Sequence, residues 1–137
     1  MPLDPVRLAD ARAWLQRAQE DLRGAEIDLA AMPPLLGDAT FHCQQAVEKA
    51  MKGFLAWHDR VFRKTHDLGE LGGQCVQIDA SLEPELRAAA PLTEYAWRYR
   101  YPGEPFAPLE TEVRDALTLA RAAIAALLDR LPADVRA

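Results

Sequence analysis

Cysteine is scarce in this chain. Two residues, Cys43 and Cys75, stand among 137, and they form no C-x-x-C pair. That excludes a disulfide framework or a zinc-finger spacing and points to a reducing, cytoplasmic setting. Serine is scarcer still: Ser81 is the only one, so no serine nucleophile constellation is expected. No apolar run approaches the roughly 18–20 residues of a membrane span, so no membrane association is expected. The opening Met-Pro-Leu-Asp-Pro does not read as a signal peptide. A phosphate-cradling glycine loop is missing, because Gly69, Gly72 and Gly73 are not followed by Lys-Ser or Lys-Thr. Sustained two-residue alternation is absent too, so no strand is expected. Excess positive charge is also lacking. Sixteen Lys and Arg against 21 Asp and Glu give −5, which argues against a protein that coats nucleic acid through its whole surface.

Half of the residues are apolar, enough to bury a core, and the length suits one domain over 1–137 with its core at about 8–131. Leu8, Ala11, Leu15, Ala18, Leu22, Ala25, Leu29 and Met32 recur at spacings of three and four, the stripe of a long amphipathic helix. Asp4 suits its start and Pro5 its first position, and Pro33-Pro34 stops it. A second helix is predicted from Asp38 or Thr40 to Trp57 or Asp59. Its core face is Cys43, Val47, Ala50, Met51 and Phe54; Gln44, Gln45, Glu48, Lys49 and Lys52 lie opposite, with Phe41 among them. Residues 60–67 read as a connection, and 68–78 as a short, glycine-weakened helix capped by Asp67 or Thr65. A fourth helix begins after Ser81 and is kinked or divided at Pro91. Residues 97–108 form a proline-rich loop, and a last helix runs from about Leu109 to Leu131. The expected fold is all-α, an up-and-down antiparallel bundle of four main helices plus one short helix.

Positive charge is concentrated in two places. Arg60, Arg63, Lys64 and His66 follow the second helix, and arginines alternate with aromatics in Trp97-Arg98-Tyr99-Arg100-Tyr101. Guanidinium groups grip phosphate in a fork, and Tyr or Trp faces stack on bases, so the second stretch is a candidate nucleotide or RNA contact. The plainer alternative is that its arginines pair with carboxylates while the aromatics cover the bundle end. The polar arc of the second helix is a candidate interface or pocket through Phe41, Gln44, Gln45 and Glu48. The plainer reading there is a solvated face with Glu48 and Lys52 as an i, i+4 pair. His42, His58 and His66 show no recognisable zinc spacing, so neither a metal site nor a cofactor is expected. His66 is a capping or general-base candidate.

Phe41-His-Cys-Gln-Gln-Ala-Val-Glu-Lys-Ala-Met-Lys52 resembles the signature of HEPN domains. Lys64-Thr-His-Asp-Leu68 and Arg100-Tyr-Pro102 resemble two further marks of the family's bacterial branch, in the expected order. The resemblance implies a five-helix bundle that forms homodimers and is commonly encoded beside a minimal nucleotidyltransferase, in pairs that include toxin–antitoxin systems. It implies a nucleotide- or RNA-binding or partner-binding module, with Arg98 and Arg100 on phosphate, Tyr101 on the ligand, and Lys49 and Lys52 adding charge. Some members of the family are metal-independent ribonucleases that use an Arg and a His with four to six residues between them. Arg60 and His66 have five residues between them, which makes them the candidate catalytic pair of that alternative, although no helix is expected to carry them. A purely structural interaction bundle is the third reading.

Overall fold

The computed structural model describes residues 4–103 and 107–136; the first three residues and residues 104–106 of the expected 97–108 loop lie outside it. Every regular element among the described residues is helical: α1 (Pro5–Ala30), α2 (Leu36–Trp57), α3 (Leu68–Ile78), α4 (Glu83–Ala89), α5 (Glu110–Asp129) and α6 (Ala133–Arg136). Two 3₁₀ segments, Ala80–Leu82 and Ala90–Ala96, flank α4.

The starts of these helices follow from their caps. Asp4 accepts hydrogen bonds from the Val6 and Arg7 amides ahead of α1, and Asp67 accepts from Gly69 and Glu70 ahead of α3. Pro91 divides the fourth helical stretch as expected, because its ring cannot continue the i, i+4 ladder; the chain tightens into 3₁₀ turns instead. Helix α2 begins two residues before Asp38, and the four-residue α6 after Pro132 has no counterpart in the sequence reading.

Helices α1 and α2 form an antiparallel hairpin. Trp14 meets Gly53, and Gly24 meets His42 one end further along. The two helices approach closely at these glycines: a Cβ on Gly53 would lie 3.0 Å from Leu15, and one on Gly24 3.3 Å from the His42 ring. Helix α2 is the hub, packing on α1, α3, α5 and the Ala90–Ala96 segment. Fifteen of its 22 residues are buried, so its apolar face and Gln44, Gln45, Glu48 and Lys52 of its polar arc are interior. Its Met51, Phe54 and Leu55 make one continuous core with Leu15, Leu71, Leu86 and Leu127. No helix of the described residues is long and apolar enough to cross a membrane.

Candidate functional site

The polar arc of α2 closes on itself. Lys52 donates to Glu48 Oε2 at 3.0 Å, and Gln44 donates to Glu48 Oε1 at 3.1 Å. Gln45 donates to Gln44 Oε1 at 2.7 Å, and Gln44 also donates to the His66 carbonyl at 3.0 Å. The His66 ring completes the group, its Nδ1 lying 2.7 Å from Glu48 Oε1. The Lys52 ammonium lies against the edge-packed rings of Trp14 and Phe62, 5.5 and 5.8 Å from their centroids. Glu48 is 3% exposed, and a carboxylate so buried persists only when paired and hydrogen-bonded.

This pairing fixes His66. A carboxylate only accepts, so a neutral His66 keeps its proton on Nδ1 and presents the Nε2 lone pair outward. The ring is largely exposed, on the wall of a cleft of about 520 Å³ shared with Thr93 and Trp97 and edged by Thr65 and Asp67. Trp97 is 54% exposed. Thr93 braces the cleft from below: its hydroxyl accepts the Leu68 amide at 3.0 Å and donates to the Ala90 carbonyl at 2.7 Å. That contact joins the start of α3 to the 3₁₀ segment.

The arginine-aromatic stretch diverges at Tyr99, whose φ of +66° puts a non-glycine residue in the left-handed region. Before the bend, Arg98 turns back onto Glu94 at 2.9 Å and lies 4.8 Å from the Tyr99 ring centroid. Beyond it, the Arg100 guanidinium stacks on Phe41, 3.4 Å from the ring centroid. Among the described residues Arg100 has no carboxylate within salt-bridge distance. Tyr95 stacks on Tyr99 and donates to Glu112 at 2.6 Å; burial and then the Glu112 bond push its phenol well above the ordinary range. Tyr101 is exposed.

A second polar group joins α1 to the other flank of α2. Asp21 takes His42 Nδ1 at 2.8 Å and Lys49 Nζ at 2.5 Å. His42 Nε2 lies 3.3 Å from Asp38 and 3.9 Å from Asp28. Burial, and then the neighbouring Asp38, push the Asp28 carboxyl up to about 6.

The structure therefore gathers Phe41, Gln44, Gln45 and Glu48 on one arc of α2, with Arg100 at its start and His66 near its middle. Lys52, expected to lend charge to a ligand, instead neutralises Glu48 inside the bundle. Lys49 turns to Asp21, away from that arc. Arg60 shares no hydrogen bond or ion pair with His66; its charge acts on His58, whose pKa is lowered by burial first and then by Arg7 and Arg60. Arg63 is bound to Glu70 at 2.6 and 3.1 Å. Sequence reasoning missed Thr93, the Trp97–His66 proximity and the three aspartates. For Asp21 and Asp28 a signal exists: with Ala11, Leu15, Ala18 and Ala25 they occupy the buried register of α1, where a carboxylate needs a partner.

A model of the HEPN domain family matches residues 11–131. The chain belongs to the HEPN domain family. All three family-like motifs of this HEPN domain meet along α2: the signature supplies the arc, Lys64–Leu68 supplies His66 and the Asp67 cap, and Arg100 stacks on Phe41. Family membership makes this a nucleotide- or RNA-related module. No curated protein and no solved structure matches the chain significantly.

Proposed function

We propose that this HEPN domain binds a nucleotide or an RNA segment at the His66–Trp97 cleft, as a cytoplasmic homodimer working with a minimal nucleotidyltransferase in a toxin–antitoxin-like system. The observation that carries the binding site is the anchoring of His66 by buried Glu48 beside an exposed Trp97. A fixed lone pair next to a free indole face offers a hydrogen-bond acceptor and a stacking surface together. Arg100, uncommitted to any described carboxylate, supplies the phosphate contact, with Arg98 and Tyr101 at its margin. The dimer and the partner rest on the habits of the family; a hydrodynamic mass near 15.2 kDa at high concentration would reject the dimer.

Titrating the protein with a short single-stranded RNA and with AMP, while following tryptophan fluorescence, tests the site. Quenching that disappears in Trp97→Phe supports it, and unchanged emission on saturating addition removes it, leaving the structural-bundle reading. A second reading is favoured by the Glu48–His66 pair itself: a carboxylate-oriented imidazole is the usual build of a general base, here for a ribose 2′-hydroxyl. Metal-independent RNA cleavage that is lost in His66→Ala and retained in Arg60→Ala would establish that reading with Glu48, rather than Arg60, as the partner of His66.

A further inference from the structure

We propose that Asp28, Asp38 and His42 bind one divalent transition-metal ion between α1 and α2. The three side chains place one ligand atom each within 4.8 Å of the others, and His42 Nε2 is 3.3 Å from Asp38 Oδ2 and 3.9 Å from Asp28 Oδ2. Metal bonds of about 2.0–2.2 Å hold tetrahedral donors about 3.4 Å apart, close to the 3.3 Å from His42 to Asp38 and about half an ångström inside the 3.9 Å from His42 to Asp28.

Proximity of two carboxylates and an imidazole is not the whole case. Asp28 is only 8% exposed, and its Oδ2, the oxygen facing His42, is buried with no hydrogen-bond partner. A buried carboxylate oxygen without a donor is costly, and a bound cation would satisfy it. The imidazole is oriented for the same task. Asp21 accepts from Nδ1 on the far side of the ring and is itself held by Lys49, which leaves the Nε2 lone pair directed at Asp28 and Asp38. A carboxylate behind a histidine is the arrangement that orients metal-binding imidazoles and raises their basicity. Gly24 lets the ring lie flat against α1, because any Cβ there would sit 3.3 Å from His42 Cγ.

Asp38 is half-exposed, giving an entry path and room for water or an anionic ligand to complete the coordination. One nitrogen with two carboxylate oxygens suits Zn²⁺, Co²⁺ or Mn²⁺ better than Mg²⁺ or Ca²⁺, which prefer oxygen alone. The site shares no residue with the Glu48–His66 group and does not depend on nucleotide binding. Its consequence is a clip across the α1–α2 hairpin, one residue from the Phe41 ring on which Arg100 stacks.

Cobalt titration of chelator-treated, full-length protein tests this. One equivalent of Co²⁺ should give a visible absorption band that Zn²⁺ abolishes by displacement and that excess Mg²⁺ leaves intact. Asp38→Asn, a change at a half-exposed position that leaves the core untouched, should weaken binding at least tenfold. Asp21→Asn, which removes the carboxylate behind the imidazole, should weaken it by about 10–100-fold, while His66→Gln should bind normally. Absence of the band, or a band of equal affinity in Asp38→Asn, would overturn the site and leave His42 as a hydrogen-bonded link between α1 and α2 only.

Discussion

His66 Nδ1 lies 2.7 Å from Oε1 of Glu48, a carboxylate otherwise sealed inside the bundle. One carboxylate thus does two things. Through Lys52 it balances a charge buried with it, and through His66 it fixes the outward-facing nitrogen of a loop residue. Stability and site geometry are coupled at this point.

Glu48→Gln should therefore destabilise the fold by about 3 kcal/mol, because Lys52 keeps its charge in a buried setting without an anion. Urea denaturation measures it. The double variant Glu48→Gln with Lys52→Met should recover part of the loss, since the unpaired charge is gone. A single-variant change below about 0.5 kcal/mol would mean that solvent reaches Lys52 freely.

The second motif has a structural component separable from His66. Asp67→Ala removes the side chain that accepts the Gly69 and Glu70 amides at 2.8 and 3.3 Å. Loss of such a cap costs about 1 kcal/mol. Because α3 is short and carries three glycines, hydrogen exchange in α3 should accelerate more than in α1 or α5. Uniform acceleration would show that α3 does not open on its own.

Much of this was legible in the sequence, and the rest was hidden for identifiable reasons. Asp4, Pro5, Asp67 and Pro91 mark helix boundaries through local chemistry, so the bundle could be read residue by residue. Periodicity also placed Gln44, Gln45, Glu48 and Lys52 on one arc of α2. It could not say that Trp14 and Phe62 pack against Lys52 at the end of that arc, since burial depends on which neighbours pack there. The Trp97–Tyr101 alternation suggested a single surface of two arginines. The left-handed backbone at Tyr99 sends Arg98 and Arg100 to different neighbours, and nothing in a Trp-Arg-Tyr-Arg-Tyr string announces it.

His58 gives the fold a pH dependence. Burial, Arg7 and Arg60 hold its pKa below the usual 6.5, and its Nε2 is buried without a partner. The native imidazole stays neutral while the unfolded one takes a proton, so stability is full above about 6.5 and falls as pH drops towards the lowered native value. His58→Phe, which keeps a ring against Phe54, should flatten that part of the stability profile. A profile identical to the parent between pH 7 and 5 would remove His58 as its source.

Cys43 and Cys75 are free and buried, and desolvation pushes both thiols up to about 12. Neither should react with a thiol reagent at pH 8 until the protein unfolds, because reaction requires an accessible thiolate. In the parent both thiols should then appear together at the denaturation midpoint, whereas in Asp67→Ala the α3 thiol, Cys75, should react ahead of Cys43. Early reaction of Cys75 in the parent would show that α3 opens locally even with its cap intact.

The cleft itself is tested most directly by NMR. The chain has three tryptophans, and Trp97 is exposed while Trp57 is buried and Trp14 covers Lys52. Titration of isotope-labelled protein with a short RNA should move the Trp97 indole and His66 ring signals and leave the other two indoles in place, with the shifts abolished in Arg100→Ala. Unmoved Trp97 and His66 signals at saturating RNA, or shifts confined to Trp14 and Trp57, would contradict the account.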